Sequence, residues 1–188
     1  MSQRHAPPVT RSDYMAMREG PPYYQVVEGD LVMSPSPETY HQDIAGNIYF
    51  LIRSYLDRHA VGTVLFAPLD LFLDDVDVYQ PDSMFVSTAR RSIITDHGLE
   101  GAPDLVVEVL SPGTARLDQG AKRTIYARAG VRELWLVDPR TKTVAVFRLP
   151  ENAETPAATY GVDAVFESPL FPSLKFGGAS IFKSSRGS

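Results

Sequence analysis

Asp104-Leu105-Val106-Val107-Glu108-Val109-Leu110 decides the reading of this chain. Val and Leu fill five of its seven positions. A short apolar run of this kind describes a central strand covered on both faces. Glu108 interrupts it. A carboxylate inside such a strand is costly unless it is paired, hydrogen-bonded or bound to a cation. Two readings follow: a buried ion pair with an arginine, or a functional acid, since perturbed carboxylates gather at sites.

Working outward, Val78-Tyr79-Gln80-Pro81-Asp82-Ser83-Met84-Phe85-Val86 reads as the preceding strand. With a period of two, Asp82 shares its face with Met84 and Val86. Pro81 removes a ladder donor and predicts a bulge or edge irregularity beside Asp82. Neighbouring strands lie about 4.8 Å apart, so Asp82 and Glu108 on adjacent strands can grip one divalent cation. Pro103-Asp104 is a competing dipeptide. Asp104 and Glu108 share one strand about 13 Å apart, too far for one ion, so Asp104 marks the strand's beginning.

The remaining elements follow from spacing. A short helix is expected near Ser12–Glu19, and Glu28-Gly29-Asp30 turns a hairpin between Tyr24–Val27 and Leu31–Met33. Thr39 can cap a long helix to about Arg58, with His41, Ile44, Ile48, Leu51, Ile52 and Tyr55 on its apolar face. Strands at Val64–Leu73, Val78–Val86 and Asp104–Leu110 precede a helix from about Asp118 to Ala129, stopped by Gly130. Its stripe is Leu117, Ala121, Ile125 and Ala129. Lys122 borders that stripe one turn before Tyr126, and helical spacing alone makes it a boundary lysine snorkelling to water. Leu134–Val137 and Val144–Leu149 follow as strands, then a loop over Pro150–Ala158. The order helix, three strands, helix, strand predicts an α/β fold with a sheet beneath packed helices.

The chain has 188 residues, 18 Lys+Arg against 23 Asp+Glu, a formal net charge of -5 and no cysteine. These figures suit one domain over 1–188, with a core at about 12–149 and loose ends at 1–11 and 184–188. They exclude disulfides and thiolate zinc sites. No apolar run approaches the roughly 20 residues of a membrane span, and Met1 to Pro8 lacks a signal-peptide core, so no membrane partner and a cytoplasmic location are expected. The acid surplus argues against sequence-blind coating of nucleic acid. It is uneven, however. Between His59 and Ala89 there is no Lys or Arg, whereas Asp70, Asp74, Asp75, Asp77 and Asp82 are acidic. Residues 112–132 hold Arg116, Lys122, Arg123, Arg128 and Arg132 against Asp118 alone. Acidic strands could hold metal while the helix meets phosphate, or the basic face is simply solvated.

The combined pattern resembles the Uma-two family of restriction-endonuclease-like proteins, within the PD-(D/E)XK nuclease superfamily. The matching stretches are Val27 to Pro35, His41, Gln80-Pro81-Asp82, Gly101 to Pro112, Asp118 to Lys122 and Tyr126 to Pro139, over roughly residues 12–149. The resemblance implies a restriction-endonuclease-like core with an N-terminal hairpin and extra C-terminal strands. Asp82 would be the motif aspartate and Glu108 the acid of the next strand. The superfamily lysine expected two residues after Glu108 is replaced by Leu110, and the resemblance moves it to Lys122 on the following helix. Asp82 and Glu108 would then hold Mg2+ or Mn2+, polarising a phosphate and acidifying a water, while Lys122 orients that water or stabilises the transition state. The expected partner is nucleic acid, with DNA as substrate.

Four residues have supporting roles open to them, each beside a plainer reading. His41 is near the site or a satisfied boundary residue. Glu28 helps bind metal or serves the turn. Gln80 binds phosphate or solvates an edge. Tyr126 reaches the site or packs. Competing functions are a nucleic-acid-binding or regulatory module without turnover, and an interaction protein that forms a homodimer through the C-terminal strands. Phe166, Leu170, Phe171, Leu174 and Phe176 either pack back on the domain or form a partner surface.

Overall fold

The computed structural model describes residues 7–17, 20–34, 36–111 and 118–185, without the side chains of 118 and 119. Arg116, Leu117 and the outermost ends therefore lie outside the described residues. The chain begins with α1 (Arg11–Met15), whose Thr10 and Asp13 form a reciprocal capping box. The hairpin β1 (Tyr23–Val27) and β2 (Asp30–Ser34) follows. Its two loop residues, Glu28 (φ 51°) and Gly29 (φ 84°), both adopt positive φ, as a twist-matched two-residue turn requires. The long helix α2 spans Thr39–Leu56. Thr39 is its first helical residue rather than its cap; Glu38 holds the cap position without a side-chain bond.

Each of the two strands expected before Asp104 is instead a pair of strands in different sheets. Val64–Leu73 divides into β3 (Gly62–Phe66) and β4 (Leu71–Asp74). Val78–Val86 divides into β5 (Asp77–Tyr79) and β6 (Ser83–Ser87). The breaks fall at Pro68 and Pro81, which have no N–H to give a ladder. A 3-10 turn (Thr88–Ile93) leads to β7 (Ile94–Thr95) and β8 (Gly98–Glu100), and then to β9 (Leu105–Val109). One widened π-helical turn, Asp118–Lys122, runs into α3 (Arg123–Ala129), which Gly130 closes at φ 93°. Next come β10 (Glu133–Asp138), β11 (Thr143–Arg148), β12 (Ala158–Tyr160), β13 (Val165–Phe166), β14 (Phe176–Gly177) and α4 (Gly178–Ile181).

Two six-stranded sheets result, ordered β2-β1-β5-β4-β8-β7 and β12-β11-β10-β9-β6-β3. In the second, β9 pairs parallel with β10, and α3 supplies the crossover that parallel neighbours need. Every residue of β9 is buried, because its sheet is covered twice. On one side, Leu105, Val107 and Val109 meet Ile44, Ile48 and Ile52 of α2. On the other, Val106 meets Ile125 and Tyr126 of α3 and Leu71, Tyr79 and Leu99 of the first sheet.

The C-terminal aromatics pack back on the domain. Phe166, Phe171 and Phe176 join the α2-side core, with Phe166 edge-on to Trp135 at 4.5 Å. Part of the ends expected to be loose is held: Val9 N–H donates to Gly29 O (2.8 Å), and the hydroxyl and N–H of Ser185 donate to Asp43. Among the described residues, no helix is long and apolar enough to cross a membrane.

Candidate metal centre

The β6–β9 ladder is antiparallel and pairs Ser83 with Val107, Met84 with Val106 and Phe85 with Leu105. Continued one step beyond its last pair, that register would bring the backbone of Asp82 beside that of Glu108, while the Asp82 carboxylate turns to the α2 side. The two acids sit where β9 ends and β6 begins, with Asp82 just before β6 and the N–H of Val109 donating to its Oδ2 at 2.7 Å. His41 approaches from α2. Its Nε2 lies 2.9 Å from Val109 O and 3.5 Å from Asp82 Oδ2. A carbonyl only accepts, so Nε2 carries a proton here. The ring bridges α2 to the ends of β6 and β9.

Glu108 projects to the α3 side and is 4% exposed. Tyr126 donates its phenol to Glu108 Oε1 at 2.6 Å, and Lys122 Nζ approaches the same oxygen at 3.1 Å. Lys122 is 2% exposed, so the snorkelling expected from helical spacing is incorrect. Each hydrogen bond of a π turn spans one residue more than in an α-helix, which rotates the following positions. The buried positions become Lys122, Ile125 and Tyr126. The Lys122 ammonium also lies 5.7 Å from the centroid of the Tyr79 ring, which meets Tyr126 edge-on at 5.5 Å. The arginine partner considered for Glu108 is thus a lysine.

The structure brings Asp82, Glu108, Lys122, Tyr126 and His41 to one sheet end and places Gln80 and Glu28 elsewhere. Gln80 Nε2 donates to Asp70 Oδ1 at 2.8 Å, beside the Tyr14 phenol, which donates to the same oxygen at 2.9 Å. Burial first, and the Asp70 charge second, push the Tyr14 phenol well up from its usual range. These three residues line a separate cavity of about 550 Å³. Glu28 is exposed at the hairpin turn, and its N–H donates to Asp77.

Asp77 is a residue whose importance sequence reasoning missed. It is fully buried and accepts from Glu28 N–H (2.9 Å), the Tyr79 phenol (2.6 Å) and Arg128 (3.0 Å). Asp104, also buried, accepts from Ser87 N–H (2.7 Å) and Arg132 (3.4 Å). The basic helix segment is therefore largely committed internally. Lys122 pairs with Glu108, Arg123 with Glu154, Arg128 with Asp77 and Arg132 with Asp104.

No group of three or more His, Asp or Glu side chains gathers as a metal cage among the described residues. Two carboxylates at adjacent strand ends nevertheless suit Mg2+, which keeps several waters and takes one or two carboxylates. The donors are oxygens only, as a hard cation prefers.

A mixed α/β fold with a doubly covered central strand carrying a buried acid is the class of fold seen here. The chain belongs to the Uma2 family, described as "Putative restriction endonuclease", whose profile matches residues 11–177. A similar solved structure is that of a "putative nuclease belonging to DUF820" from Anabaena variabilis ATCC 29413. It is 21% identical, with a TM-score of 0.76, covering 93% of this chain and 98% of that one. No curated relative matches.

Proposed function

We propose that this protein is a metal-dependent endonuclease that hydrolyses phosphodiester bonds of DNA. The observation that supports it most is the β6–β9 ladder, whose pair Ser83–Val107 leaves Asp82 and Glu108 as the next residues of the two strands, with Lys122 on the second acid. Asp82 and Glu108 would hold Mg2+ or Mn2+, and the ion when bound would polarise the phosphate and acidify a water. Tyr126 and Lys122 fix the Glu108 carboxylate from below, so it need not reorganise to serve as a ligand. The Val109 N–H fixes Asp82 in the same way. The Lys122 ammonium balances the Glu108 charge and places positive potential beside the reacting phosphate.

The test is cleavage of plasmid and oligonucleotide DNA by the purified protein in Mg2+ or Mn2+. Cleavage should vanish with a chelator and in Glu108→Gln and Asp82→Asn. Undiminished cleavage by Glu108→Gln would sink the assignment.

One observation favours a second reading, a nucleic-acid-binding module without turnover. Lys122 is 2% exposed and engaged by Glu108, which suits a structural lysine. Metal-dependent DNA binding with no cleavage in either ion would select it.

A further inference from the structure

A small cavity opens beside Asp82 on the α2 side, separate from the buried contacts of Glu108. Its volume is about 190 Å³, and Gln42, Ala45, Gly46, Tyr49, Phe66, Ala67 and Asp82 line it. Phe66 ends β3, the edge strand of its sheet, and is 57% exposed. The ring is nevertheless held, meeting Tyr49 edge-on at 4.7 Å. Register ties this rim to the site. Phe66 pairs with Ser83, and Ala67 N–H donates to Asp82 O at 3.2 Å. A solvent-facing aromatic ring in edge contact with Tyr49 thus stands one residue from the strand position of Asp82.

We infer that Phe66 and Tyr49 form a stacking platform for one unstacked base of single-stranded DNA, next to the phosphate presented to Asp82. This rests on the nuclease reading above and adds the form of its substrate. Size supports it: the cavity is below the about 300 Å³ where drug-sized ligands begin to fit, and suits one planar ring. Chemistry supports it as well. Aromatic faces bind bases of any sequence, and the Gln42 amide offers both a donor and an acceptor to a base edge. Ala45 and Gly46 leave the helix side of the slot free of bulk. A base paired within a duplex would have to leave its stack to enter.

The test uses a single-stranded oligonucleotide carrying 2-aminopurine, the same strand in a duplex, and the full chain in Ca2+. Wild type should bind the single strand more tightly than the duplex and quench the probe. Phe66→Ala should lose the quenching and about tenfold or more in single-strand affinity. Phe66→Trp should retain both. Phe50→Ala, which removes an exposed ring outside the cavity, should bind as wild type. An unchanged melting temperature in Phe66→Ala separates the effect from unfolding. Absence of single-strand binding by wild type overturns the inference, as does equal binding by Phe66→Ala. Conversion of a dimer to monomer by Phe66→Ala, with quenching intact, overturns it in favour of a self-association face. Quenching without cleavage in any ion removes the nuclease reading and leaves the stacking platform standing; single-strand cleavage indifferent to Phe66→Ala removes the platform alone.

Discussion

Lys122 and Glu108 form an ion pair sealed between the π turn that precedes α3 and β9, with Nζ 3.1 Å from Oε1. Both side chains are almost fully buried, so each charge leans on its protein partners rather than on water. Lys122→Met should destabilise the fold by about 3 kcal/mol, because it removes a buried positive charge 3.1 Å from a buried carboxylate. Urea unfolding at neutral pH measures it, and adding Glu108→Gln should recover much of the loss. A single-variant cost under about 1 kcal/mol would show that the pair does not hold the helix down.

Tyr126→Phe keeps the ring against Tyr79 and removes only the hydroxyl on Glu108. A hydrogen bond to a charged acceptor contributes about 2 kcal/mol. Thermal unfolding should show a loss of that size. Cleavage should fall less than in Glu108→Gln, since the carboxylate itself remains.

Divalent metal should stabilise the wild-type fold through mass action. At a free concentration a hundredfold above the dissociation constant, the gain is about 2.7 kcal/mol. Mn2+ should raise the melting temperature of wild type and not that of Asp82→Asn. An equal rise in both would place the ion away from Asp82.

Glu133 offers a pH test outside the site. It is buried, accepts from Trp135 Nε1 (3.0 Å) and Ser168 Oγ (2.8 Å), and burial raises its pKa above the ordinary 4.5 despite those bonds. The folded state thus holds this proton more tightly than the unfolded chain. The group's contribution is fully present below the unfolded value and is lost as pH rises through the folded one. Glu133→Gln keeps one oxygen for both donors and cannot ionise. Its melting temperature relative to wild type should be higher at pH 7 than at pH 4; a difference independent of pH would refute the assignment.

Asp77→Ala should be among the costlier single changes. It strands the Glu28 N–H and the Tyr79 phenol and leaves Arg128 with the more distant Asp74, at 3.8 Å. About 3 kcal/mol is expected from the orphaned groups. Urea unfolding against Asp75→Ala, an exposed neighbour, provides the comparison.

The central strand was legible because its signal is local: five apolar residues, each needing cover. Gly130 and the Glu28-Gly29 turn were legible for the same reason, since φ is a property of one residue. The two-sheet division was not. Val64–Leu73 and Val78–Val86 are apolar enough to run as single strands, and only Pro68 and Pro81 mark where each changes sheet. Spacing leaves Lys122 at the edge of the helix stripe because periodicity assumes a regular turn, and the turn before α3 is widened, which buries it. The partners of Arg128 and Arg132 lie 51 and 28 residues away, a pairing that spacing along one helix cannot reveal. Strand adjacency anticipated that β6 and β9 pair, but period two put Asp82 on the face of Met84 and Val86, and its carboxylate instead meets His41 of α2, because Pro81 interrupts the strand before it.

The break at Pro81 has a mechanical consequence. Asp82 sits on the short joint between β5, which belongs to one sheet, and β6, which belongs to the other. Glu108 belongs to the second sheet alone. Any shear of one sheet over the other therefore tugs on the first acid before it disturbs the second. Were the two carboxylates to share a cation as proposed, their spacing would act as a strain gauge for the domain, coupling that grip to how firmly the sheets are seated.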